Sequence, residues 1–460
     1  MNPDAPKRLT TREKFSYAIG GVPFTLGYII LPQLAFPVFN MSIGISATAV
    51  GAVLAIGRLW DAFTDPLMGN ISDNARSRWG RRVPFVVLGS VLLAICLPAI
   101  WSVPSDVSPG VQFAWLTATI LLFFATTTMI SVPWLSLGYE LNPDPIERTR
   151  LQVWRSYVAG AVTLAVSWFY RWAQADIFPD LLTGLRWISA ASGLICIGCA
   201  LVLALNCRER DDAFTRAQPK TPFLQSVRET ISNGPFLLLV LGIVTVILCM
   251  PMLVASLGLY INVYYLFDGD KKTGAAYAAA FSSMMVVLKF VILPVGVQLV
   301  KRYGKIRVIE WTLWLGLAAS LLKFVIYTPA APWLQFVNAL LLGPSVAVFW
   351  LLVDPMKADC ADYDEWKTGR RRSGSYAAVA NWIEKASMTV TLLGSGLLLD
   401  WSGFDAALGK NQPENTIPFL RLCFATVPTL AYTIALVCLR LYPLTDARME
   451  EIRREISSRR

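Results

Sequence analysis

Three charged residues interrupt an otherwise apolar stretch: Arg58, Asp61 and Asp65. Asp61 and Asp65 are four residues apart and Arg58 comes three before Asp61, so a helix lines all three on one face. Two carboxylates at that spacing repel each other when both are ionised, unless a cation or a shared proton lies between them. The chemistry on offer is therefore cation binding or proton exchange. The alternative is a salt bridge from Arg58 to Asp61 that pins this segment to a neighbour, which accounts for Asp61 but not for Asp65. The chain has no His, so an imidazole relay is excluded and proton chemistry falls to carboxylates. No nucleophile–base constellation is legible, which argues against an enzyme. No G-x-x-x-x-G-K-[ST] loop is present, which argues against an ATP-driven pump. Cys196 and Cys199 have CxxC spacing but lie within an apolar run, a poor setting for a metal.

The elements that must carry these charges are membrane helices. Of 460 residues 55% are hydrophobic and only 16% charged, where a soluble protein has about a quarter charged; mean hydropathy is +0.51. Apolar segments long enough for a bilayer, about 20 residues each, fall near 15–40, 46–71, 83–102, 111–139, 151–175, 184–206, 236–266, 274–300, 306–328, 332–356, 374–401 and 416–442. This predicts an all-α membrane protein of about twelve helices in two six-helix halves, 1–206 and 236–445. The polar stretch 207–235 reads as a linker and 446–460 as a basic tail. The net charge of +10 reflects orientation rather than a nucleic-acid partner. Basic residues collect in alternate loops, such as Arg76–Arg82 and Lys301–Arg307, so the positive-inside rule puts both termini in the cytoplasm. The first dozen residues are polar and do not read as a signal peptide.

The halves also repeat a detail. After the second segment comes Arg78-Trp-Gly80-Arg-Arg82, and after the eighth Lys301-Arg-Tyr-Gly304-Lys305. A glycine-bearing basic hairpin at the same place in each half is what a duplication leaves behind.

Several motifs, in order along most of the chain, resemble the glycoside–pentoside–hexuronide:cation symporters of the major facilitator superfamily. Segment two reads Arg58-Leu-Trp-Asp61-Ala-Phe-Thr-Asp65-Pro-Leu-Met-Gly69. Segment four ends Val132-Pro133-Trp134, followed by Glu147-Arg-Thr-Arg150 and Arg155. Segment ten leads into Ala358-Asp359, Asp362-Tyr363 and Lys367-Thr-Gly-Arg370, and segment eleven holds Lys385.

The resemblance implies an alternating-access carrier of a small solute, in a bacterial inner membrane, with no cofactor beyond a coupling cation, H+ or Na+. It makes Asp61 and Asp65 the cation site with Thr64 and Thr128 assisting, and Lys385 a charge partner for the acids, against the alternative that Lys385 pairs with Glu384. Arg58, Arg155 and Trp350 would face the substrate. Arg76, Arg78, Arg81 and Arg82, with Asp359, Asp362, Arg370 and Arg371, would form gates. Lys289 has no assigned role, and Lys323 near a segment end reads as snorkelling. Beyond substrate and membrane lipid no partner is implied, and one chain suffices.

The match departs at Thr25 and Ser131, aligned with positions where sugar-carrying members place carboxylates. Loss of both weakens a melibiose-like specificity and tilts the ion toward protons. A lysolipid or other amphiphile is the alternative cargo, and a non-transporting receptor or scaffold the alternative role.

Overall fold

The computed structural model describes residues 9–75, 77, 79–104, 107–141, 145–207, 233–249, 257–369 and 373–459; some side chains within these, including those of Glu140 and Arg148, are not described. The described residues are helical apart from short connections, and they divide into two compact units, 1–218 and 219–460.

In the first unit the helices are α1 (Thr11–Ile19), α2 (Val22–Ala35), α3 (Ala47–Asn74), α4 (Val83–Ile100), α5 (Pro109–Glu140), α6 (Pro145–Ser167), α7 (Phe169–Trp172) and α8 (Leu181–Asn206). In the second they are α9 (Gly234–Cys249), α10 (Lys271–Tyr303), α11 (Lys305–Ile326), α12 (Gln335–Thr368), α13 (Ser373–Trp401), α14 (Thr416–Arg440) and α15 (Asp446–Arg459). A further apolar helix spans Leu257–Leu266. With α1–α2, α6–α7 and α9 with Leu257–Leu266 each counted as one crossing, six crossings fall in each unit. Among the described residues, eight helical stretches are long and apolar enough to cross a membrane by length and composition. Absent from these are α3, α6 and α13, each lowered by charges such as Arg58 and Asp61, Arg155, or Glu384 and Lys385. Those are the helices on which the sequence places much of its chemistry.

Each unit's first crossing ends in a π-helical turn, Phe36–Asn40 or Ile261–Leu266. Each turn leads to a glycine at positive φ, Gly44 (87°) or Gly269 (90°), and then to a side-chain N-cap, Ser46 or Asp270. The hairpin glycines noted in the sequence, Gly80 and Gly304, are also at positive φ, 95° and 85°. A side chain is strained in that region, so glycine is what both hairpins need. The same devices at corresponding places in both units favour internal duplication.

Close helix contact is set by small residues. A Cβ on Gly57 of α3 would come within 2.4 Å of the Phe124 ring on α5. Only glycine lets α3 lie this near α5, and that approach brings the α3 charges against α5 hydroxyls.

The C-terminal segment, expected as a basic tail, forms the amphipathic helix α15. Met449 and Ile452 are buried, and Ile456 packs against the core of the second unit.

Candidate cation and substrate site

The α3 face predicted to carry chemistry meets α5. Arg58 and Asp61 are buried, 4% and 7% exposed, while Thr64 and Asp65 are half-buried. Thr128 on α5 is buried, and its hydroxyl lies between the two carboxylates. It is 2.5 Å from Asp61 Oδ1 and 3.2 Å from Asp65 Oδ1. Thr64 Oγ1 donates in turn to Thr128 Oγ1 at 3.2 Å. Four oxygens of two carboxylates and two hydroxyls thus converge, a hard donor set that suits a small oxygen-seeking cation or a shared proton. All four residues of the expected cation set are brought together.

Arg58 is held back from the acids. Its Nη1 is 3.8 Å from Asp61 Oδ2, and its guanidinium lies between the rings of Tyr28, 5.0 Å away, and Phe124, 4.9 Å away. Such contacts contribute about 0.5–2 kcal/mol each, enough to compete with a long ion pair. Nε and Nη2 of Arg58 are buried without a hydrogen-bond partner among the described residues. The Gly57 contact holds the Phe124 side of this sandwich.

Arg155 on α6 has the same kind of seat, 4.9 Å from the Trp134 ring and 5.7 Å from Phe24. Trp134 is fully buried, stacked on Tyr17, with its indole N–H donated to the Tyr17 carbonyl at 3.0 Å. Phe24 and Tyr28 are one turn apart on α2, ring centroids 6.0 Å apart. The two guanidiniums therefore sit at either end of one aromatic pair. Sequence reasoning missed Phe24, Tyr28 and Phe124, because aromatics in an apolar helix read as core.

Thr25 on α2 is buried and donates to its own helix at Gly21 O, 3.0 Å. Ser131 on α5 is half-buried and 3.4 Å from the Thr128 carbonyl.

In the second unit Trp350 on α12 is 39% exposed and Lys385 on α13 is half-buried. Glu384, the alternative partner for Lys385, is bound by Lys357 of α12 at 2.5 Å. Lys357 also holds Asp354 at 3.1 Å. Neither Lys357 nor Asp354 is conspicuous in the sequence, where both stand at the charged end of an apolar segment.

Of the expected gating residues, Arg76, Arg78, Arg370 and Arg371 lie outside the described residues. Arg81 is half-buried and Arg82 buried, at the start of α4. Asp359 is 2% exposed and pairs with Lys305, the first residue of α11, and with Arg453 Nη2 of α15 at 2.6 Å. Asp362 pairs with Arg453 Nε at 3.1 Å. Both acids thus find cations within their own unit, one supplied by the C-terminal helix.

Lys289 is exposed on α10. Lys323 does not snorkel; it is 4% exposed, with Nζ 3.3 Å from the Phe424 carbonyl and 4.0 Å over the Phe424 ring. Pro428 has no N–H, so it leaves the carbonyl four residues back without its helical donor. The Lys323 ammonium fills that place.

Outside the membrane spans, Glu147 at the start of α6 is buried and paired with Lys14 at 2.7 Å and Arg150 at 2.5 Å. The Lys14 ammonium, seconded by Arg150, holds this carboxyl below its ordinary value against the opposing effect of burial.

Known proteins share this arrangement of helices. A bacterial homologue of the human lysosomal transporter Spinster superposes with a TM-score of 0.68 at 14% identity, covering 94% of this chain and 98% of its own. The glucuronide carrier protein homolog of Escherichia coli is 24% identical, covering 99% of this chain and 97% of its own length. The sodium-dependent lysophosphatidylcholine symporter 1-B of Danio rerio is also 24% identical, covering 99% and 91%. The MFS/sugar transport protein family matches residues 16–446. The chain therefore belongs to that family, the glycoside–pentoside–hexuronide:cation symporters of the major facilitator superfamily, and is a membrane transporter rather than an enzyme.

Proposed function

We propose that the protein is a cation-coupled symporter of a small organic solute, a sugar or glycoside, working by alternating access. The observation that carries this reading is the Thr128 hydroxyl lying between Asp61 and Asp65. A proton or a sodium ion at these oxygens neutralises the repulsion between the carboxylates, and its departure restores it. Loading the site therefore changes the charge balance around Arg58, 3.8 Å from Asp61, and through it the aromatic row leading to Arg155. Arg58 and Arg155 of the first unit, and Trp350 and Lys385 of the second, are the residues that the resemblance makes substrate-facing, with Thr25 and Ser131 at the positions where sugar-carrying members place carboxylates. The two six-helix halves, 1–206 and 236–445, then exchange access, with the arginines of 76–82 and 370–371 as gating charges, while Asp359 and Asp362 are engaged within the second unit. The setting is a bacterial inner membrane with both termini in the cytoplasm.

An amphiphile is the second reading. It is favoured by Thr25 and Ser131, which leave the first unit without the carboxylates that grip sugar hydroxyls, and by the name of the Danio rerio relative.

Counterflow in proteoliposomes tests the transport reading. Wild-type protein is expected to exchange a labelled glycoside or lysophosphatidylcholine in response to a proton or sodium gradient. Asp61→Asn and Asp65→Asn should each cut the gradient-driven rate at least about 100-fold, equivalent to roughly 2.7 kcal/mol. Flux in wild type that both substitutions leave intact overturns the cation site. No flux with any candidate solute favours a receptor or scaffold instead.

A further inference from the structure

Arg58 and Asp61 are three residues apart on α3, a spacing at which side chains on a helix meet. An arginine and a carboxylate left to themselves close to about 2.7–2.9 Å, often through two parallel N–H donors. Here the approach stops at 3.8 Å. The guanidinium has further reason to close, because its Nε and Nη2 are buried without a hydrogen-bond partner among the described residues, and a buried N–H left unpaired is costly. Something must hold it back.

The restraint comes from two neighbouring helices. Tyr28 of α2 and Phe124 of α5 present their rings to the guanidinium at 5.0 and 4.9 Å, within the range at which a ring face attracts a cation. Phe124 has little freedom to leave. It is 2% exposed and set edge-on against Phe123, with ring centroids 5.6 Å apart. It also lies so close to Gly57 that a Cβ there would come within 2.4 Å of its ring. Gly57 directly precedes Arg58, so the backbone that carries the arginine is the surface against which the ring packs. Phe124 stands one turn before Thr128 on α5. One face of α5 thus delivers both the hydroxyl between the two carboxylates and the ring that occupies the arginine.

Each position of the arginine has a different consequence for an arriving ion. A guanidinium closed on Asp61 would supply the positive charge that the carboxylate lacks, and so compete with a proton or a sodium ion for it. A guanidinium held on the rings leaves that charge to the ion. Resting on the cation-site reading above, we propose that Phe124 and Tyr28 are positioning residues that set the ion affinity of the Asp61–Asp65 site by withholding Arg58 from it. Their part is played through the arginine, not as ligands of the ion.

The test is a sodium titration at fixed pH and ionic strength, and a pH titration without sodium, each followed by the melting temperature of the purified full-length protein. The half-saturation point of whichever ion stabilises wild type is the quantity read. Phe124→Leu keeps apolar bulk but removes the ring face, and is expected to weaken ion binding by about tenfold. Tyr28→Leu should act in the same direction, and with Tyr28 45% exposed it does so without disturbing the core. Tyr28→Phe keeps the ring and should bind as wild type does. In an Arg58→Met background Phe124→Leu should produce no further weakening, because the group that the ring withholds is gone. Wild-type ion affinity in both leucine variants overturns the proposal, as does a weakening by Phe124→Leu that persists undiminished in Arg58→Met. A wild type that neither ion stabilises removes the cation site itself, and with it the proposal that rests on that site.

Discussion

Two acidic pairs lie on helices of this protein, and their neighbours differ. On α3, Asp61 and Asp65 share the hydroxyl of Thr128, and the nearby Arg58 is drawn off between two aromatic rings. On α12, Asp359 and Asp362 are gripped by Lys305 and by both arms of Arg453. Spacing is similar, four residues against three, so sequence spacing does not decide what such a pair does. A fixed cation makes an acidic pair a fastener. Around the α3 pair the described contacts are a neutral hydroxyl and a guanidinium at 3.8 Å, the set proposed above for a cation that arrives and departs. The α12 pair also draws its arginine from α15, so the last helix of the chain is tied to the end of α12 by charge as well as by Met449 and Ile452.

The largest stability effect is expected at the fastener. Asp359→Ala removes the partner of Lys305 and half the anchorage of Arg453. Removing one member of a buried pair costs about 3–5 kcal/mol, and the partial exposure of Lys305 and Arg453 places this case at the low end. Thermal unfolding of the purified protein measures it, and a loss below ~1 kcal/mol would mean that the pair is not a fastener. A smaller effect is expected in the first unit, at the pairing of Glu147 with Lys14 and Arg150. This carboxyl titrates below its ordinary value of 4.5 when folded, so its contribution is complete above that value and is lost as pH falls through the folded value. Melting temperature across that acid range should fall more steeply in wild type than in Glu147→Gln, and parallel profiles would remove the pair from the account.

The α3 pair was legible because charge inside an apolar run is conspicuous and helical spacing says which residues share a face. Twelve crossings and the paired hairpins were legible for similar reasons, and both hairpin glycines take the positive φ that a basic turn needs. Partners on other helices were not. Arg58 depends on Phe124, and Lys323 on a carbonyl freed by Pro428 about a hundred residues away; neither leaves a local pattern. Asp354 and Lys357 passed unnoticed because they stand next to Pro355 near the expected end of an apolar segment. The last helix was a different kind of miss. Met449, Ile452 and Ile456 already carry the three- and four-residue spacing of a helix face, but the surrounding charges made the segment read as a tail.

The claim that one pair exchanges a cation while the other fastens is tested most directly by one series of melting curves. Wild type, Asp65→Asn and Asp362→Asn are unfolded thermally across a range of sodium concentration and pH. Sodium, or pH above the acid range in which Glu147 titrates, is expected to shift the melting temperature of wild type and of Asp362→Asn alike, and that response is expected to be lost in Asp65→Asn. A response retained in Asp65→Asn, or lost in Asp362→Asn, would contradict the claim.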